Sequence, residues 1–203
     1  MSPLTLLYTP ASPFARKVRM AALERRIKLE LLDTHVSPIL SNPELAKVNP
    51  LVKVPVLISP DGPIYDNRVI CRYLDRLGEG PSLYASEVAE RWSIATLEAL
   101  SDGVMDAAVL LRYELGVRPE ELRWKQWVDI QFSRILGVLE QVEKITDSLV
   151  GLHIGSLGLA AALSYLDFRH PALPWRENHP RLSAWLADFE EHEIMKNTRY
   201  PQV

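Results

Sequence analysis

The stretch Tyr8–Met20, YTPASPFARKVRM, decides the fold. An apolar run, Leu4–Tyr8 (LTLLY), enters it and reads as a buried strand. A basic amphipathic run, Phe14–Arg25, leaves it and reads as a helix. Phe14, Val18, Ala21 and Ala22 share one face, with Arg16, Lys17, Arg19 and Glu24 spread over the rest. Ser12 and Pro13 stand at the joint. Serine is a favoured N-cap and proline a favoured first helical residue. A helix N-terminus also offers partial positive charge and free N–H groups, which stabilise an anion such as a thiolate. A serine hydroxyl there can donate to that anion. Capping and ligand binding use one geometry, and at this point both readings stand.

Outward from the joint, the same grammar continues for about 77 residues. Leu29–Asp33 reads as a second strand and Asn42–Leu45 as a short helix. Val54–Ser59 and Pro63–Tyr65 flank a Pro-Asp-Gly turn signal and read as a hairpin. Asn67–Leu77 reads as a helix with Val69, Ile70, Tyr73, Leu74 and Leu77 inward. A strand–helix–strand opening implies a right-handed parallel crossover, and the hairpin adds antiparallel strands, so the sheet is mixed. Val54-Pro55 opens a strand, where proline is tolerated. A cis peptide there would turn the Val54 backbone outward, free to pair with an extended peptide. Asp66 and Asn67 precede a helix. As caps they are ordinary; as ligand groups, Asp66 can take an ammonium and Asn67 with the first helical N–H groups a carboxylate.

The second half changes grammar. GEGPSLYASE, residues 78–87, is the linker candidate. Beyond it no strand pattern appears. Ser86–Leu115 is long and helical, with Val88, Trp92, Ala95 and Ala99 in register. Glu120–Ile145 repeats the stripe with Val128, Phe132, Ile135, Leu139 and Val142. Leu157–Phe168 is apolar nearly all round, as a central buried helix is, and Leu182–Phe189 reads as the last helix. The expected domains are therefore 1–78, mixed α/β, and 86–203, all-helical.

Composition narrows the function. The net charge of −3 lacks the basic excess of a general nucleic-acid binder. Cys71 is the single cysteine, so no disulfide forms within the chain, and its helical setting reads as a small buried residue. The five histidines show no metal-ligand spacing, so no metal is expected. The five tryptophans are expected in packing positions. With neither a signal-like N-terminus nor a long apolar run, a soluble cytoplasmic protein away from membranes is expected.

Taken in order, YTPASPFARKVR, NPLVKVPVL, YDNRVICRYL, GSLGLAAALSYLDFRHP and NHPRLSAWLADFE resemble the glutathione S-transferase superfamily, most closely bacterial members with a Ser-Pro-Phe start. The resemblance covers nearly the whole chain. It implies a thioredoxin-like N-terminal domain with a four-stranded mixed sheet and an all-helical bundle behind it. It implies glutathione, γ-Glu-Cys-Gly, as co-substrate, with its thiol at Ser12, its cysteinyl backbone on Val54 beside cis-Pro55, and its γ-glutamyl end on Asp66 and Asn67. Phe14 and Pro10 would line the place of a small hydrophobic electrophile, with Tyr113 a further candidate. The implied reaction is attack of the glutathione thiolate on that electrophile by a homodimeric enzyme of detoxification. Tyr8 is the alternative thiol activator. A non-catalytic member that binds a protein partner is the alternative function. Three positions depart from the family pattern: Asn67 stands for serine, Val52 for glycine, and His153 with Ser156 for a Thr-x-x-Asp capping box. The lost carboxylate of that box is expected to cost stability.

Overall fold

The computed structural model describes residues 3–85 and 87–202. The chain divides into two compact units, Met1–Ser86 with Ile194–Val203, and Glu87–Glu193. The tail grouped by sequence with the helical half thus packs with the first unit.

The first unit runs β1 (Leu4–Tyr8), α1 (Pro13–Glu24), β2 (Leu29–Asp33), α2 (Pro43–Val48), β3 (Val56–Ser59), β4 (Gly62–Ile64) and α3 (Asn67–Leu77). The sheet order is β2-β1-β3-β4. β1 and β2 are parallel; β1–β3 and β3–β4 are antiparallel, which makes the mixed four-stranded sheet expected. Leu6, Val56 and Leu57 of the sheet, Val18, Ala21 and Ala22 of α1, and Ile70, Cys71 and Leu74 of α3 are buried and form its core. Cys71 lies where its helical pattern placed it. Val69 and Leu77, expected inward, are exposed, because the inner face of α3 centres on Ile70, Cys71 and Leu74.

Arg16 and Lys17 depart further from expectation: both are buried. For Arg16 the reason is the tail. Its Nη2 donates to the Met195 carbonyl at 3.3 Å, its Nε to Thr198 Oγ1 at 3.4 Å, and its guanidinium lies 4.6 Å over the Tyr200 ring. Arg19 donates to the Asn197 carbonyl at 3.1 Å. Residues some 180 positions downstream therefore cover this face of α1, and no local pattern in α1 reveals it.

The second unit holds α4 (Val88–Gly116), a 3-10 turn at Glu120–Leu122, α5 (Lys125–Lys144), a 3-10 turn at Thr146–Ser148, α6 (Ile154–Arg169), α7 (Trp175–Asn178) and α8 (Pro180–Phe189). A further short helix, α9 (Glu193–Lys196), follows the helix expected to be last. The α5 stripe is as read, with Val128, Ile135, Leu139 and Val142 buried and Phe132 half-buried. α4 is rotated from the expected register: Val88 and Trp92 are exposed, and Leu97, Val104, Met105, Ala108 and Leu111 are buried. α6 decides this. It is buried from Ile154 to Leu166, and a Cβ at Gly155 would stand 2.9 Å from the Ile94 carbonyl, so the two helices approach closely at Leu97. Of the tryptophans only Trp175 is fully buried, its Nε1 donating to Asp167 at 2.8 Å; Trp92 and Trp124 are exposed.

The capping box at α6 is the clearest correction. His153 Nδ1 accepts from the Ser156 N–H at 3.1 Å, and Ser156 Oγ accepts from the His153 N–H at 2.9 Å. Two orphan donors are satisfied reciprocally without a carboxylate. An imidazole nitrogen does the acceptor's work, so the expected loss of stability has no structural basis at neutral pH.

Candidate functional site

Register gathers the candidates. Leu7 pairs with Val56, so Val54-Pro55 lies at the C-terminal end of β1, where the chain turns through Ser12 into α1. Leu57 pairs with Ile64, so the chain leaves β4 toward that same end and enters α3 at Asn67. Two antiparallel pairings thus bring three separate segments to one end of the sheet.

Ser12 caps α1. Its Oγ accepts from the Ala15 N–H at 3.1 Å, and its own N–H donates to the Thr9 carbonyl at 3.0 Å. Pro13 holds the first helical position. The cap uses the hydroxyl as an acceptor only. No described residue takes its proton. Phe14 follows, half-buried. Tyr8 ends β1 with its ring under Arg19, 5.5 Å from the guanidinium carbon. Arg19 is six residues beyond Pro13, about 9 Å along the helix from the N-terminus.

Val54 lies outside the strand ladder, which begins at Val56. The Val54-Pro55 peptide is cis, as expected; Tyr65-Asp66 is cis as well. Asp66 caps α3, its Oδ1 accepting from the Arg68 N–H at 3.1 Å. Its Oδ2 pairs with Arg68 Nη2 at 3.1 Å, with the Asp66 side chain 47% exposed. Burial pushes the Asp66 carboxyl up, but Arg68, by hydrogen bonds and charge, holds it below the ordinary aspartate value. It is therefore a carboxylate at neutral pH. Its Arg68 partner is exposed, and pairs of this kind are worth little, so a ligand ammonium can share or replace it. Asn67 is 4% exposed and its Oδ1 has no hydrogen-bond partner among the described residues. The first-turn N–H groups of Arg68 and Val69 are bonded to the Asp66 carboxylate, and that of Ile70 to the Asp66 carbonyl. In the second unit, burial raises the Tyr113 phenol, with Arg112 opposing.

Two residues escaped the sequence reading. Asn49 is buried and organises the loop before Val54: its Nδ2 donates to the Lys53 carbonyl at 2.8 Å and its Oδ1 accepts from the Leu51 N–H at 3.0 Å. Lys53 is exposed beside Val54 and brings a positive charge to this end of the sheet. The Asn-Pro dipeptide was the available signal for the first; a cation next to the strand opening was the signal for the second.

Comparison with known proteins identifies the family of the chain. Residues 6–82 match the glutathione S-transferase N-terminal domain and residues 125–188 its C-terminal domain. A glutathione transferase family member from Pseudomonas fluorescens Pf-5, solved with bound glutathione, is 40% identical with a TM-score of 0.91 over 98% of this chain and 100% of that one. A glutathione S-transferase from Methylobacillus flagellatus KT, also with glutathione, is 32% identical with a TM-score of 0.89 over 98% and 100%. The uncharacterized GST-like protein YibF of Escherichia coli is 28% identical over 98% of this chain and all of its own length. Elongation factor 1-gamma 2 of Oryza sativa is 31% identical over 68% of this chain, which spans about a third of that protein (34%). With both of its domains matched and a relative 40% identical aligned end to end, the chain belongs to the glutathione S-transferase superfamily.

Proposed function

We propose that this protein is a glutathione transferase that binds glutathione and activates its thiol for attack on a small hydrophobic electrophile. The observation that carries the reading is Ser12: a helix-capping hydroxyl whose acceptor side is used and whose proton is uncommitted. A free thiol titrates near about 8.5, and a donor beside a helix N-terminus lowers that value by favouring the thiolate. Val54 pairs with the cysteinyl backbone beside Pro55. Asp66 takes the γ-glutamyl ammonium, and the Asn67 backbone N–H at the start of α3 takes its carboxylate. Lys53 offers a counter-charge for the glycyl carboxylate. Phe14 faces the electrophile. The Pseudomonas relative also holds S-(propanoic acid)-glutathione, a thioether of the kind such a reaction makes. No metal takes part, and the protein works as a homodimer, which sedimentation velocity measures.

The test is calorimetric and kinetic. Glutathione binding is expected in the wild type and is lost in Asp66→Ala. Ser12→Ala keeps binding within a few-fold but lowers kcat with a generic aryl halide by about 10²-fold, the scale of one lost donor to a developing anion. Activity kept in Ser12→Ala but lost in Tyr8→Phe assigns the activator to Tyr8 instead. The second reading, a non-catalytic protein that binds a protein partner, is favoured by the elongation factor 1-gamma relatives and by Asn67 and Val52. Absence of glutathione binding at millimolar concentration selects it.

A further inference from the structure

The N-cap of α6 is a histidine acting as an acceptor. His153 Nδ1 receives the Ser156 N–H at 3.1 Å, so the neutral ring carries its proton on Nε2. An imidazolium is protonated on both nitrogens and cannot accept. Protonation would set one N–H against another and place a positive charge at the N-terminus of a helix, where the dipole disfavours it. The helix concerned is the buried centre of its unit, with Ile154 through Leu166 enclosed. Ser156 is fully buried, and its Oγ also donates to the Gly151 and His153 carbonyls, at 3.1 and 2.8 Å. The turn that leads into the helix is therefore tied to the same box.

We propose that His153 is a pH-sensitive latch: deprotonated it closes the capping box of α6, and protonated it opens the box and frees the first turn of the helix with the Gly151–His153 turn. Burial of the ring lowers its pKa, and Glu90 on α4 is the charged group that acts against this. The first turn of α6 itself carries no charged side chain. The sign follows. A histidine whose folded pKa lies below its ordinary value, about 6.5, gives its full stability above that value. That stability is lost as pH falls from about 6.5 through the lowered folded value. The latch is shut at pH 7.5 and opens under mild acid.

The experiment is amide hydrogen exchange of the full chain at Ser156 and Leu157, read by NMR between pH 7.5 and 5.5 and corrected for intrinsic rates. In the wild type, protection at Ser156 is expected to fall about tenfold across this range, while amides in the middle of α5 keep theirs. His153→Asn, a good cap that does not titrate, is expected to hold protection constant. Its melting temperature should match the wild type at pH 7.5 and exceed it by about 3 °C at pH 5.5, the shift expected for one lost cap in a domain of this size. Ser156 protection that stays flat in the wild type, or a pH-dependent loss that persists unchanged in His153→Asn, overturns the proposal. The wild-type exchange profile decides the matter alone should the variant not fold.

Discussion

Val52 has φ of +52°, in the left-handed region that glycine enters freely and β-branched residues avoid. Its conformation is imposed by Asn49, whose backbone carbonyl accepts the Val52 N–H at 2.9 Å while its side chain clamps Leu51 and Lys53. Left-handed backbone costs a side-chain-bearing residue roughly 1–2 kcal/mol. Glycine removes that cost and returns part of the gain as unfolded-chain entropy. Val52→Gly is therefore expected to raise the melting temperature by about 2 °C, a net gain of about 0.5–1 kcal/mol, measured by differential scanning calorimetry. An unchanged or lower melting temperature would mean that the valine side chain contributes packing that outweighs the strain. Ser12 obeys the opposite logic. Its conformation is ordinary for a cap, so Ser12→Ala should cost about 1 kcal/mol in stability through the lost bond to Ala15, separately from its effect on rate.

At the scale of elements, the segment after α3 shows what holds the first unit closed. Arg25, at the C-terminal end of α1, is 5% exposed. Its Nη1 donates to the carbonyls of Gly80 and Pro81, and its Nη2 to those of Asp75 and Gly78, both at 2.9 Å. Its Nε lies 3.2 Å from Asp75 Oδ1. Asp75 in turn accepts from the Leu83 N–H at 2.8 Å and from Ser82 Oγ at 2.6 Å. Arg25 also fills the place next to Gly78, where a Cβ would come within 2.4 Å of the Arg25 Cβ and 2.6 Å of its carbonyl oxygen. The stretch whose composition reads as a linker is thus partly a strap bound to α1 and α3. Breaking a buried ion pair from one side costs about 3 kcal/mol or more. Arg25→Met is expected to lower the urea midpoint accordingly and to open residues 78–84 to limited proteolysis. A midpoint within error of the wild type would show that the strap holds without its arginine.

On the scale of the whole molecule, the chain leaves the first unit, builds the second, and returns. Ile194 and Met195, which group with the first unit, are 6% and 1% exposed, and Thr198 is 1% exposed. Removing residues 194–203 exposes that apolar surface and strips Arg16 of the Met195 and Thr198 acceptors. Two apolar side chains at roughly 1.5–3 kcal/mol each, with a buried cation left short of partners, make a loss of about 4 kcal/mol or more. The truncated chain is expected to unfold at markedly lower urea and to lose glutathione binding with it. If it unfolds where the full chain does, the tail is a bystander. Tolerance to truncation follows the burial of the affected backbone, and here the C-terminus is buried at its start.

Local chemistry determined the elements. The strand–Ser-Pro–helix joint, the hairpin, the α3 boundaries at Asn67 and Leu77, and the largely apolar α6 are written in patterns that act over a few residues: capping, turn propensity and periodicity. That Ser12, Val54 and Asp66 share one end of the sheet was implied by the family resemblance, and the strand register accounts for it. Tertiary structure decided the rest. Arg16 and Lys17 are buried although the local pattern of α1 put neither on its apolar face, and for Arg16 the cover is a tail some 180 residues away. The inward face of α4 is set by the close approach of Gly155, not by its own apolar stripe. Asn67 turns in and His153 serves as a cap because the free energy of a polar group depends on which partners reach it, and partners distant in sequence leave no mark on the local pattern.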